Sequence, residues 1–204
     1  MLITPELFKK IDQILVNILE EFQLNKAMIL TEDDLKCTIV RRLFEIPELS
    51  IPQSTQNIEI LSYPVHTEIP WYDASGKLTI KPDITILDPK NLSILHGCYG
   101  KSLPLPSKQC EFAGPSIIFE LKYIRNKTGI RKATFEGKIC EDFKKVQKLF
   151  DRMDEANQPN ALFCYFVVFN KTDIKCRDFE EFLVSNKNSY RHKLVYGSSN
   201  VKFL

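Results

Sequence analysis

Apolar residues recur at helical spacing near the start of the chain, where Leu7, Ile11, Ile14, Leu15, Ile18, Leu19 and Phe22 fall on one side of a 3.6-residue repeat. Thr4 followed by Pro5 supplies a capping hydroxyl and a proline preset for the first turn, so a helix is predicted from there to about Asn25. A second helix is predicted from Thr31 to the residues before Pro47. Thr31 and Asp34 stand at capping-box spacing, and Glu32 and Asp33 meet the positive end of the helix dipole. At about 100° per residue, Glu32 shares a stripe with Leu35, Ile39, Leu43 and Ile46, so an acid points where the core residues point.

The period then changes. Residues 49–62 are rich in proline and polar side chains and read as a connection with one short extended piece. Residues 63–71 alternate in part, 77–87 alternate clearly, and 116–124 are β-branched and aromatic, so three strands are predicted. Asp73, Ser75 and Gly76 carry turn chemistry between the first two, which should form an antiparallel hairpin. Residues 88–115 read as a long loop, a functional flap or an insertion. Residues 135–153 return to helical spacing with Ile139, Phe143, Val146, Phe150 and Met153 on one face. The almost unbroken apolar run 161–169 suits a strand buried on both faces. A short helix at 179–185 and a strand at 192–196 complete the order. The expected fold is α/β, one domain over 1–204 with a mixed central sheet flanked by helices, an N-terminal helical extension over 1–30 and an insertion at 88–115.

Composition supports a folded, soluble chain, because 44% hydrophobic and 26% charged residues are the balance of a globular protein. No uncharged apolar run of about 18 residues is present, and the N-terminal stretch carries charge through its pattern, so neither a membrane span nor a signal peptide is expected. Six cysteines without a CxxC pair suggest free thiols in a reducing cytoplasm. Cys37, Cys140 and Cys164 fall inside helix or strand patterns as small buried hydrophobes. His96, Cys98 and Cys110 share one loop and could bind zinc, although their spacing matches no regular zinc pattern. The net charge of +2 separates no partner classes, but its distribution is uneven. Between Leu121 and Lys148 nine cations face three anions, an excess that attracts a polyanion or simply forms a solvated face.

Candidate chemistry gathers on two strands. Asp83 follows Pro82 in one, and Glu120 and Lys122 lie two apart in another, hence on one face. If the strands are neighbours, Asp83 joins them. Two such carboxylates suit Mg²⁺, a hard ion that takes oxygen ligands and keeps several waters, and a nearby ammonium can orient an attacking water. Asp83 sits among Ile80, Ile84 and Ile86, where a carboxylate without a partner is unfavourable. In the bland alternative, Glu120 and Lys122 are a solvent-facing pair, Glu32 is only a first-turn dipole partner, and Asp83 is a turn acid.

Pro82-Asp83, with Glu120-Leu121-Lys122 thirty-seven positions after the aspartate, resembles the PD-(D/E)XK, or restriction endonuclease-like, nuclease superfamily. The likeness extends over roughly residues 31–169 in element order: an acid-bearing helix, an antiparallel hairpin, the ExK strand, a helix and a buried strand. By that resemblance Asp83 and Glu120 bind a divalent metal, Mg²⁺ or Mn²⁺, with the main-chain carbonyl of Leu121. Lys122 positions or activates the water, and Glu32 is an auxiliary metal acid, with Glu68 a more remote one. The 142–146 run, DFKKV, resembles the helix that brings a lysine to the phosphate.

The resemblance implies an endonuclease or exonuclease acting on nucleic acid, DNA first, and a homodimer if both strands of a duplex are cut. The alternatives are an inactive nuclease-fold module that binds nucleic acid or a partner protein, and an α/β regulatory module in which ExK is accidental. Trp71, Tyr72 and Tyr123 could stack bases, whereas core or rim packing is the commoner role for such residues.

Overall fold

In the computed structural model the Thr4 hydroxyl accepts from the Leu7 N–H at 3.3 Å and Pro5 opens helix α1 (Pro5–Leu24). The structure describes residues 2–72, 78–94, 110–112, 114–155, 160–186, 189–200 and 202–203. Helix α2 (Glu32–Leu43) starts from a reciprocal capping box, the Thr31 side chain accepting from Asp34 N–H and the Asp34 side chain from Thr31 N–H. It ends a few residues short of the sequence expectation. Phe44 leaves the helix, and Pro47 opens a separate turn, α3 (Pro47–Ser50).

Between the helices and the main sheet, β1 (Gln53–Ser54) and β2 (Leu61–Ser62) pair as a small antiparallel ribbon in the region read as a connection. The expected hairpin forms, but each of its strands is broken in two. Along the first lie β3 (Val65–Thr67) and β4 (Trp71–Tyr72), and along the second β5 (Leu78–Ile80) and β6 (Ile84–Leu87). β3 pairs with β6 and β4 with β5, all antiparallel. Pro70 and Pro82 sit in the breaks, where a missing N–H interrupts the ladder. Asp83 therefore precedes a strand instead of lying inside one. The turn residues Asp73, Ser75 and Gly76 fall outside the described residues.

The 88–115 segment is not a bare loop. β7 (Leu92–Ile94) pairs antiparallel with β8 (Cys110–Phe112). His96 and Cys98 of the zinc reading lie outside the described residues, as does the Cys110 side chain.

β9 (Ser116–Ile124) carries the ExK residues. It is followed by one continuous helical stretch, α4 (Lys132–Thr134), a π-helical turn (Phe135–Cys140) and α5 (Glu141–Glu155). β10 (Leu162–Asn170), α6 (Arg177–Ser185), β11 (His192–Gly197) and β12 (Lys202–Phe203) follow. The sheet order is β12-β11-β10-β9-β6-β3, five strands plus a two-residue edge. β9, β10 and β11 run parallel, and β6 and β3 complete the mixed sheet antiparallel.

Strand alternation divides the interior into two layers. Ile117, Phe119, Leu121 and Tyr123 of β9 join Tyr165, Val167 and Phe169 of β10 against α1 and α2. Ile118, Cys164, Phe166 and Val168 face Phe143, Val146 and Phe150 of α5 and Phe179 of α6. Each fully buried side chain of this size contributes about 1.5–3 kcal/mol. The buried stripes of α1 (Leu7, Ile11, Leu15, Ile18, Leu19, Phe22) and α2 (Leu35, Ile39, Leu43) are the ones the spacing predicts. Cys164 is buried and Cys140 half-buried, but Cys37 is exposed on α2, contrary to expectation. Among the described residues, no helix is long and apolar enough to cross a membrane.

Candidate active site

The site forms where β9 outruns its neighbour. β6 pairs Ile84 with Phe119 and then ends, so the next position along the ladder sets Asp83 opposite Glu120. Beyond that point Leu121 and Tyr123 still point their N–H groups toward the missing strand, because this edge repeats every second residue. Two carboxylates take the strand's place. Asp83 Oδ2 accepts from Leu121 N–H at 2.8 Å, and Glu32 Oε2 accepts from Tyr123 N–H at 3.0 Å. The inward stripe of α2 thus aims Glu32 at the sheet, with its side chain 44% exposed. The Leu121 carbonyl points along the same open edge as its N–H.

Glu120 and Lys122 occupy the other alternation of β9, beside Phe166 and Val168 of β10 and under α5. The Lys122 ammonium lies 3.2 Å from Glu120 Oε1, 2.9 Å from Asp142 Oδ2 on the first turn of α5 and 3.7 Å from Glu32 Oε1. Lys145 Nζ bonds the other Asp142 oxygen at 2.5 Å. One ammonium, on a side chain 12% exposed, is therefore shared among three carboxylates, with Asp83 in its field as a fourth.

That imbalance sets the protonation. Burial pushes Glu120 up to about 7, with Asp83 and Asp142 adding to the rise and Lys122 only partly offsetting it. Burial also raises Asp83. Glu32 adds to the rise, while the Leu121 N–H, Lys122 and Lys36 oppose it. Burial works against the charge of Lys122, but Glu120, Glu32 and Asp142 outweigh it and hold the ammonium above the ordinary lysine range. Asp142 is held below the usual range because the Lys145 and Lys122 hydrogen bonds overcome its burial.

A carboxylate pair, one buried and one half-buried, that is short of positive charge is what a divalent cation relieves, and an all-oxygen set suits Mg²⁺. Among the described residues no group of three or more His, Cys, Asp and Glu side chains is drawn together to hold a metal ion. The available donors are two carboxylates and one main-chain oxygen. Such a set leaves most positions to water, as Mg²⁺ prefers.

The structure thus brings Asp83, Glu120, Leu121, Lys122 and Glu32 to one edge. Glu68 is elsewhere engaged, its carboxylate bound to Lys36 at 2.9 Å and Lys81 at 2.5 Å. Tyr123 is buried and donates its hydroxyl to the Ile29 carbonyl at 2.7 Å, and Trp71 packs on the α5-side core, so these two pack instead of presenting stacking faces. The Tyr72 side chain lies outside the described residues. Lys36 is a participant that the sequence reading did not single out, and Asp142 entered it only as the first residue of the DFKKV run. Lys36 stands one helical turn after Glu32, and Asp142 borders the apolar face of α5, so helical spacing carried a signal for both. Comparison with known proteins finds no matching family model, curated protein or solved structure.

Proposed function

We propose that this protein is a Mg²⁺-dependent phosphodiesterase acting on nucleic acid, DNA first, in the manner of the PD-(D/E)XK nucleases. The observation that carries the reading is the meeting of Asp83, Glu120 and Lys122 at the end of β6, where ladder register sets the two acids opposite one another. Asp83, Glu120 and the Leu121 carbonyl would hold the ion. When bound, Mg²⁺ supplies charge stabilisation at a phosphoryl oxygen and a water of lowered pKa.

The chain's own residues do the rest. Lys122, kept protonated by its acidic neighbours, has no lone pair to act as a base. It serves as a donor that orients the attacking water and offsets charge on the five-coordinate phosphorus. Glu32 keeps its second oxygen toward that ammonium and limits the side chain's freedom. Arg125 and Lys127 follow β9 directly, are exposed and make no ion pair among the described residues, which supports a role for them in meeting the phosphate backbone.

Cleavage of labelled duplex DNA is expected to require Mg²⁺ or Mn²⁺ and to fall by about 10²–10³-fold in Lys122→Met and Asp83→Asn. Equal cleavage by wild type and both variants, or cleavage undiminished by EDTA, overturns the proposal. A second reading has its own support. Asp83 and Glu32 each cap a main-chain N–H, a structural task that would retain both acids in a module that binds nucleic acid without cutting it. Mn²⁺ binding without any turnover in the same assays would favour that reading.

A further inference from the structure

The hairpin keeps one register through its break. Thr67 pairs with Ile84, Glu68 N–H donates to the Asp83 carbonyl at 3.2 Å, and Trp71 pairs with Ile80, with equal numbers of residues on the two strands. No residue is added to either side across the break itself; the register shifts only beyond it, between Trp71 and Tyr72. The change of direction is taken up instead by Glu68, whose φ of 55° makes it the only non-glycine in the left-handed region among the described residues. That conformation is disfavoured for any residue with a Cβ, and glycine or asparagine is its usual occupant.

A glutamate here has a use for its side chain. The turned backbone delivers the carboxylate to Lys81, two residues before Asp83, and to Lys36 on α2, whose side chain is only 15% exposed and is also bound by Asp33 at 2.9 Å. Lys36 in turn lies one helical turn from Glu32, the residue that caps Tyr123 N–H. Glu68 thus joins α2 to both strands of the hairpin at the point where Asp83 leaves the ladder.

We infer that Glu68 is a positioning residue that fixes the bend of the hairpin and so sets the Asp83 carboxylate across from Glu120. It holds Asp83 by its backbone N–H, and it holds the approach to Asp83 through Lys81. The inference rests on the metal-site reading above and gives Glu68 a different task from that of a remote metal acid.

The test is Mn²⁺ titration of the full chain, wild type against Glu68→Gln and Lys81→Met, with thermal midpoints measured in parallel. Both variants are expected to bind Mn²⁺ about tenfold more weakly or worse, with midpoints close to wild type, as for residues that orient a metal ligand from behind it. The lysine variant separates geometry from charge and keeps the test open should Glu68→Gln fail to fold. Removing a cation should by itself tighten Mn²⁺ binding, whereas loss of the clamp weakens it. Tighter binding by Lys81→Met, or unchanged binding by Glu68→Gln, overturns the inference and leaves the proposed function standing. A wild-type protein that binds no Mn²⁺ removes both.

Discussion

Glu120 is a residue whose protonation the fold changes strongly. In an unfolded chain it titrates near the ordinary glutamate value of 4.5, and in the fold burial lifts it to about 7. The folded state therefore binds the proton more tightly, and stability from this group is full below 4.5 and is lost as pH rises through about 7. The loss amounts to as much as about 3 kcal/mol. Urea denaturation in EDTA should show stability falling from pH 5 to 7.5, a slope that Glu120→Gln removes and added Mg²⁺ reverses. A flat profile in both proteins would mean that Glu120 lacks the cation-poor surroundings described above. Glu68, held down at about 2 by Lys81 and Lys36, acts with the opposite sign in a lower window, its contribution being lost as pH falls from 4.5 towards 2.

Two glycines near β9 show how its flanking elements depend on local backbone. Gly129 follows the strand with φ of 61°, and a Cβ there would lie 2.1 Å from the Ile174 carbonyl oxygen. Gly129→Ala should therefore cost about 2 kcal/mol or more, read as a lowered denaturation midpoint, by combining left-handed strain with a backbone clash. The same change would loosen the contacts by which Ile130 N–H bonds Ile174 and Cys176 N–H bonds Ile130. Gly137 lies in the π-helical turn before α5, and a Cβ there meets nothing within 4 Å. Gly137→Ala should raise stability by roughly 0.5–1 kcal/mol through reduced freedom of the unfolded chain. A loss there would show that the wide turn itself needs glycine. The expected helix at 135–153 carried no sign of that turn, because its apolar spacing reads almost the same in either geometry.

At the scale of the molecule, four acids (Asp83, Glu120, Glu32 and Asp142) gather at the end of β6, while Arg125, Lys127, Arg131, Lys138, Lys144 and Lys148 are exposed and without ion pairs among the described residues. Lys144 and Lys148 lie one turn apart on α5, the helix that also carries Asp142 over Lys122. Binding of labelled duplex to the Lys122→Met protein should weaken steeply with salt. Lys144→Ala and Lys148→Ala should each reduce the slope of log K against log salt by about 0.9 if each meets one phosphate. A slope unchanged in both would remove α5 from the proposed nucleic-acid face.

Much of this was readable in advance because it depends on local periodicity. The stripes of α1 and α2, the caps at Thr4 and Thr31, the buried β10 and the shared face of Glu120 and Lys122 follow from side chains three, four or two residues apart. The decisive relations join segments far apart in the chain and depend on where pairing stops. β6 ends at Asp83, so two N–H groups of β9 are left for Asp83 and Glu32, and one ammonium is divided among Glu120, Asp142 and Glu32. An unpaired backbone donor exists only once a neighbouring strand has ended, and the left-handed Glu68 is tolerated only where three packed elements hold it. Residue order carries the acids, and tertiary packing decides which of them face one another.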